Sequence, residues 1–154
     1  MKERKFTIPV DANFLSAIGR AAYNFNYLEW GVIYGIMRLR ACHVWEVGCI
    51  HRTSHVYGAL TQAIVRTTIP LPAELRLRLT DFSERWKAAV EDRNSLLHSY
   101  PMTAENRLPA SGGRGFRIWQ ETEILDAAMN FQILSDRAGS ELRDELIKLG
   151  AKPF

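Results

Sequence analysis

An arginine, an amide and an imidazole fall within six consecutive residues, Arg93-Asn94-Ser95-Leu96-Leu97-His98. Their chemistries complement one another. Histidine titrates near neutral pH, so His98 can take a proton from a ribose 2′-hydroxyl or return one to a leaving oxygen. Arg93 is always charged, and its guanidinium can clamp a phosphate as negative charge builds in a transition state. Asn94 can orient either group by hydrogen bonding. Such a set suits phosphodiester cleavage.

These residues must be positioned by the helix that carries them. Leu75, Leu79, Phe82, Trp86, Val90, Arg93 and Leu97 recur at steps of three and four, which predicts a helix from about Ala73 with one buried seam. Arg93 stands where that seam calls for an apolar residue. A guanidinium there is expensive to bury unless it finds a partner or a polar cleft. Asn94 and His98 are four apart and share a face, and the long Arg93 side chain can swing toward the same rim. The helix C-terminus would favour the protonated imidazole. Five steps separate Arg93 from His98 by about 140° around the helix, so one copy presents at best half a site.

Three further helices are expected around this one. Asp11, after Pro9, is a good N-cap for a first helix with Phe14, Ile18, Ala21, Phe25, Leu28, Val32, Gly35 and Leu39 on its buried stripe. Gly31 and Gly35 weaken that helix locally and mark a close approach by a neighbour. A connection from Ala41 to Thr53 leads into a second helix carrying Val56, Leu60, Ala63, Ile64 and Thr67, which Pro70 and Pro72 end. A last helix from about Glu121 turns Ile124, Ala128, Phe131, Leu134 or Ser135, Ala138, Leu142 and Leu149 inward and stops at Gly150. Between helices three and four, Ser99 to Gln120 holds Pro101, Pro109 and a Gly-rich run. It reads as a long loop or a loose hairpin in which Phe116, Ile118 and Trp119 return as a short strand. The expected fold is all-α, an antiparallel four-helix bundle in a single domain over 1–154.

Composition limits the function classes. The hydrophobic fraction of 47% and charged fraction of 24% are those of a water-soluble globular domain with its own core. Apolar runs fall short of a membrane span and no signal peptide is visible, so no membrane partner is expected. Two cysteines make no disulfide framework, and a cytoplasmic setting follows. A net charge of +3 permits contact with a polyanion without demanding it. Arg66, Arg76, Arg78, Arg85 and Lys87 alternate with Glu74, Asp81, Glu84 and Glu91, which is the pattern of a salt-bridged, solvated face.

The Arg93 to His98 segment resembles the R-x4-6-H motif of HEPN domains, including the polar residue directly after the arginine. The order of an early helix with Phe25-Asn26-Tyr27-Leu28-Glu29-Trp30, a Pro-broken middle, the motif, a loop and a final amphipathic helix is also similar to HEPN-like bacterial proteins. The resemblance implies a helical bundle that dimerises to form one composite site. It implies metal-independent cleavage of RNA to a 2′,3′-cyclic phosphate and a 5′-hydroxyl, with Arg93, Asn94 and His98 catalytic and no cofactor. Roles in defence, in stress response or in a toxin–antitoxin pair with a cognate antitoxin or regulator are implied with it. Arg93, His98 and Tyr100 together look like the R-x4-H-x-Y form, in which the tyrosine accepts nucleotidyl groups. Pro101 and the Gly-rich loop depart from that form, and Tyr100 is otherwise an interface or core-edge aromatic.

Other residues compete for attention. Asn26 and Glu29, beside the first buried stripe, either face Arg93 across the bundle or lie in solvent. Cys42, His43, Cys49, His51 and His55 make the rival cluster, and the His51 to His55 step is one helical turn, suited to two zinc ligands. The cysteine spacing is not that of a tight zinc pair, and such residues in apolar surroundings are packing residues, so no metal is expected. Trp30, Trp45, Trp86 and Trp119 read as core or interface. The alternative to an enzyme is a non-catalytic helical module that binds a partner protein or RNA.

Overall fold

Asp11 begins the first helix as its side chain accepts a hydrogen bond from the Asn13 amide at 2.8 Å. The computed structural model describes residues 11–41, 53–97, 108–109 and 118–152. Its long helices are α1 (Ala12–Arg40), α2 (Thr53–Arg66), α3 (Ala73–Leu97) and α4 (Glu121–Arg137). The last continues without a break into a π-helical segment, Ala138–Glu145, and a final turn α5, Leu146–Lys148. Strands β1 (Leu108–Pro109) and β2 (Ile118–Trp119) form a two-residue antiparallel ladder with Leu108 opposite Trp119. Among the described residues no helix is long and apolar enough to cross a membrane.

The expected stripe of α1 is buried from Phe14 to Leu39, with Ile18 only partly covered. Beyond Val32 the burial widens to Ile33, Ile36, Met37 and Arg38, because this half of α1 is enclosed on several sides. Gly31 and Gly35 do mark a close approach. A Cβ on Gly35 would lie 2.8 Å from Leu142, and one on Gly31 would lie 3.1 Å from Ala138. Only a residue without a side chain lets the two backbones pack at that distance.

Those contacts also fix the direction of the helices and correct the expected antiparallel alternation. Asn24 donates to the Ala128 carbonyl, Gly31 meets Ala138 and Gly35 meets Leu142, so α1 and α4 run parallel. On α2, the Val56 carbonyl accepts from Trp86, which stacks on Phe25, while Thr67 donates to the Leu39 carbonyl at 2.7 Å. Hence α2 also runs with α1. α3 runs against the other three, with Arg76 on Ile64, Ser83 on Thr61, and Arg78 on Glu145. The physical reason lies in chain reach. The stretch 41–52 between α1 and α2 is long enough, at ~3.3 Å per residue, to span a helix of about 20 Å, so direction need not reverse. Packing of four apolar stripes then decides the topology.

Core residues come from all four helices and from β2, with Phe25, Phe82, Trp86, Trp119 and Phe131 the largest fully buried side chains. The seam of α3 holds at Leu75, Leu79, Phe82, Trp86 and Val90. At its end the seam differs from expectation: Leu96 is buried at 4% exposure and Leu97 is exposed at 43%. Steps of 3.6 residues carry the buried stripe backward around the helix, and Ala89 and Leu96 take over. The basic and acidic residues of α3 pair as a solvated face should, Arg85 with Asp81, Lys87 with Glu84 and Arg78 with Glu145.

Candidate functional site

Phe25 is the floor on which the arginine of the motif rests. It is buried, stacks on Trp86 at 5.5 Å and meets Phe131 edge-on at 5.3 Å. The Arg93 guanidinium lies 5.4 Å from the Phe25 ring centroid, within the range where a cation is attracted to an aromatic face. One further contact fixes it, a 2.9 Å hydrogen bond from Arg93 Nη1 to Asn94 Oδ1. The anomaly in the seam is thus resolved. Arg93 is half-buried, with its guanidinium over an aromatic ring of the core.

What the guanidinium lacks among the described residues is a counter-charge. Its Nε is sealed from solvent without a hydrogen-bond partner, and among the described residues it makes no ion pair. Glu91, two residues earlier, instead accepts a hydrogen bond from Tyr57 at 3.1 Å, a contact that raises the tyrosine pKa above its ordinary value. Glu29 is half-buried and Asn26 exposed, and neither forms a hydrogen bond to Arg93 among the described residues. On this helix it is Asn24, not Asn26, that reaches across, donating to the Ala128 carbonyl.

Ser95 and Trp119 tie the two ends of the intervening segment together. The buried indole of Trp119 donates to Ser95 Oγ at 3.3 Å, so α4 starts beside the motif. A capping box at Gln120 and Glu123 sets that start. Trp119 also lines a groove of about 370 Å³ with Asp92, Glu123, Asp126, Ala127 and Asn130. Three carboxylates there give this side of the motif an acidic character, where a phosphate-guiding surface would be basic.

His98 and Tyr100 lie outside the described residues, as do Cys42, His43, Cys49 and His51; His55 falls within α2, but its side chain lies outside the description. Among the described residues no three histidine, cysteine or carboxylate side chains gather as a metal site would require. Of the motif, then, the structure brings Arg93 and Asn94 into contact, and the described part of the helix runs to Leu97. No family model, no curated protein and no solved structure matches this chain.

Sequence reasoning missed two participants. Phe25 is a core residue by pattern, and only its place across from α3 makes it the platform for Arg93. Arg38 is buried at 5% exposure in the last turns of α1. Its signal was available, since apolar residues surround it at 33, 36, 37 and 39 and leave no polar face for a charge.

Proposed function

We propose that this chain is an HEPN-like RNA-binding protein and acts as a metal-independent endoribonuclease through a site completed by a second copy. The observation that supports it best is Arg93, a guanidinium oriented by Phe25 and Asn94 yet without a counter-charge among the described residues. An anionic phosphodiester would supply that charge, and would gain most where charge develops in the transition state. His98, the next residue after α3, moves the proton between the 2′-hydroxyl and the leaving 5′-oxygen. Asn94 holds the guanidinium in register. The protein is a cytoplasmic homodimer in this reading, acting in defence or stress response with a cognate antitoxin or regulator, and Tyr100 is the residue such a regulator would modify.

Incubation of RNA with the purified protein in EDTA tests the proposal. The expected products are a 2′,3′-cyclic phosphate and a 5′-hydroxyl, lost in His98→Ala. Cleavage that persists in that variant, or that needs a divalent metal, overturns it.

A second reading rests on the carboxylates Asp92, Glu123 and Asp126 beside the motif. They would repel an RNA strand and favour a basic segment of a partner protein, making the chain a non-catalytic helical module. That reading requires binding without turnover.

A further inference from the structure

The π-helical segment opens a groove against α1. Its volume is about 670 Å³, within the range of small-molecule sites. None of Phe25, Arg93 and Asn94 lines it, so the groove and the motif are distinct places. One wall is an aromatic ladder of Tyr27, Trp30 and Tyr34 at successive turns of α1, each at least a third exposed. Trp30 and Tyr34 pack ring to ring at 5.9 Å. The opposite wall is the widened turn at Gly139 to Asp144, and π-helical turns of this kind are found mostly where a helix serves a site.

Arg38 lies in this groove, and its state is the unusual feature. It is 95% buried by its 5% exposure, and its Nε has no hydrogen-bond partner. Among the described residues no carboxylate pairs with it. Its contact is with the Tyr34 ring, 6.0 Å from the guanidinium carbon, at the outer limit for a cation on an aromatic face. Arg143, also in the groove, is held by Asp144 at 2.8 Å and so leaves that carboxylate engaged. Burial, and then the positive charge of Arg143, pull the Arg38 pKa below its ordinary value, against a smaller opposing pull from Asp144 and Tyr34. The C-terminal end of α1 offsets part of this. A buried cation in a walled, open groove is a ligand group in need of an anion.

We propose that this groove binds a small molecule bearing an oxyanion on a planar ring, with the oxyanion on Arg38 and the ring against the Tyr27, Trp30 and Tyr34 wall. The oxyanion supplies the missing counter-charge, and the aromatic wall gives a planar ring a stacking face. A phosphate or a carboxylate satisfies the guanidinium fork equally.

Calorimetric titration of the full chain separates the sources. AMP probes the phosphate and indole-3-acetate the carboxylate, with adenosine and tryptophol as their uncharged counterparts. Binding of either anionic probe, with its uncharged counterpart weaker by about 10- to 100-fold, is expected, and which probe binds identifies the anion. Arg38→Met should weaken that probe by a similar factor while leaving the melting temperature unchanged or higher. Gly139→Leu, which adds bulk at the groove wall and leaves Arg38 in place, should abolish binding independently. The proposal is overturned if neither probe binds at about 1 mM. It is also overturned if the uncharged molecules bind as well, or if both variants retain full affinity.

Discussion

Two arginines of this bundle lie against phenylalanine rings of the core, and their surroundings differ sharply. Arg137 sits 5.5 Å from the Phe82 centroid and donates to Asp81 at 2.9 Å, to Glu141 at 3.1 and 3.2 Å, and to the Arg78 carbonyl. Burial works against its charge, but the bonds to Glu141 and Asp81 outweigh it and raise its pKa. Arg93 sits 5.4 Å from Phe25 and, among the described residues, bonds only to its neighbour Asn94. The same side chain on the same kind of platform is a structural clasp in one corner and, among the described residues, a charge without an ion pair in the other. Carboxylates decide which. A guanidinium closed by acids stabilises the fold, whereas one left open is available to an anion from outside.

The largest effect expected concerns chemistry at the open arginine. Arg93→Met should lower RNA cleavage by about 10²–10³-fold, and His98→Ala by about 10²–10⁴-fold, in initial-rate assays in EDTA. Near-wild-type rates in Arg93→Met would erase the functional side of the comparison.

Next comes the closed arginine. Arg137→Met leaves Glu141, which is buried, without its cation, and should destabilise the protein by about 3 kcal/mol in urea titration. A loss under about 1 kcal/mol would mean the corner is solvated in practice.

By contrast, Arg93→Met should change stability by no more than about 1 kcal/mol in either direction. The thioether chain keeps the apolar contact with Phe25 and removes a charge that nothing in the described fold neutralises. A loss as large as that of Arg137→Met would show that the two arginines play the same part.

The smallest effect is in acid. Hydrogen bonds from Arg137 and then Arg85 hold the Asp81 carboxyl below its ordinary value of 3.8. A depressed carboxylate contributes stability above the unfolded-state value, and loses it as pH falls through the folded-state value. The stability gap between wild type and Asp81→Asn should therefore be constant at neutral pH and close below about pH 4. A gap that persists at lower pH would assign it to packing.

How much of this was legible beforehand varies with the element. The Asp11 cap, the stripe of α1, the breaks at Pro70 and Pro72, and the two glycines set into α1 at Gly31 and Gly35 are all local signals, although the partners of the glycines, Ala138 and Leu142, are distant in the chain. Leu96 and Leu97 were exchanged because a seam drawn at whole steps ignores the drift of 3.6 residues per turn. The parallel course of α1 and α4 was not legible, since a long connection permits either direction. The π-helical segment escaped for a similar reason. Gly139 and Ser140 weaken an α-helix there, but only the packing of Ala138 and Leu142 onto the two glycines shows where the backbone widens.

The motif itself divides along the same line. The sequence alone determined that Arg93 interrupts an apolar seam, that Asn94 stands beside it and that His98 follows within the same six residues, because helical periodicity makes those positions readable from spacing. Only the tertiary structure decided that Arg93 rests on Phe25, that Glu91 is taken by Tyr57, and that Arg38 is enclosed without an ion pair among the described residues. The reason is physical. A charge is defined by its neighbours across the fold, and those neighbours come from residues 12 to 145, brought together by burial and not by order in the chain.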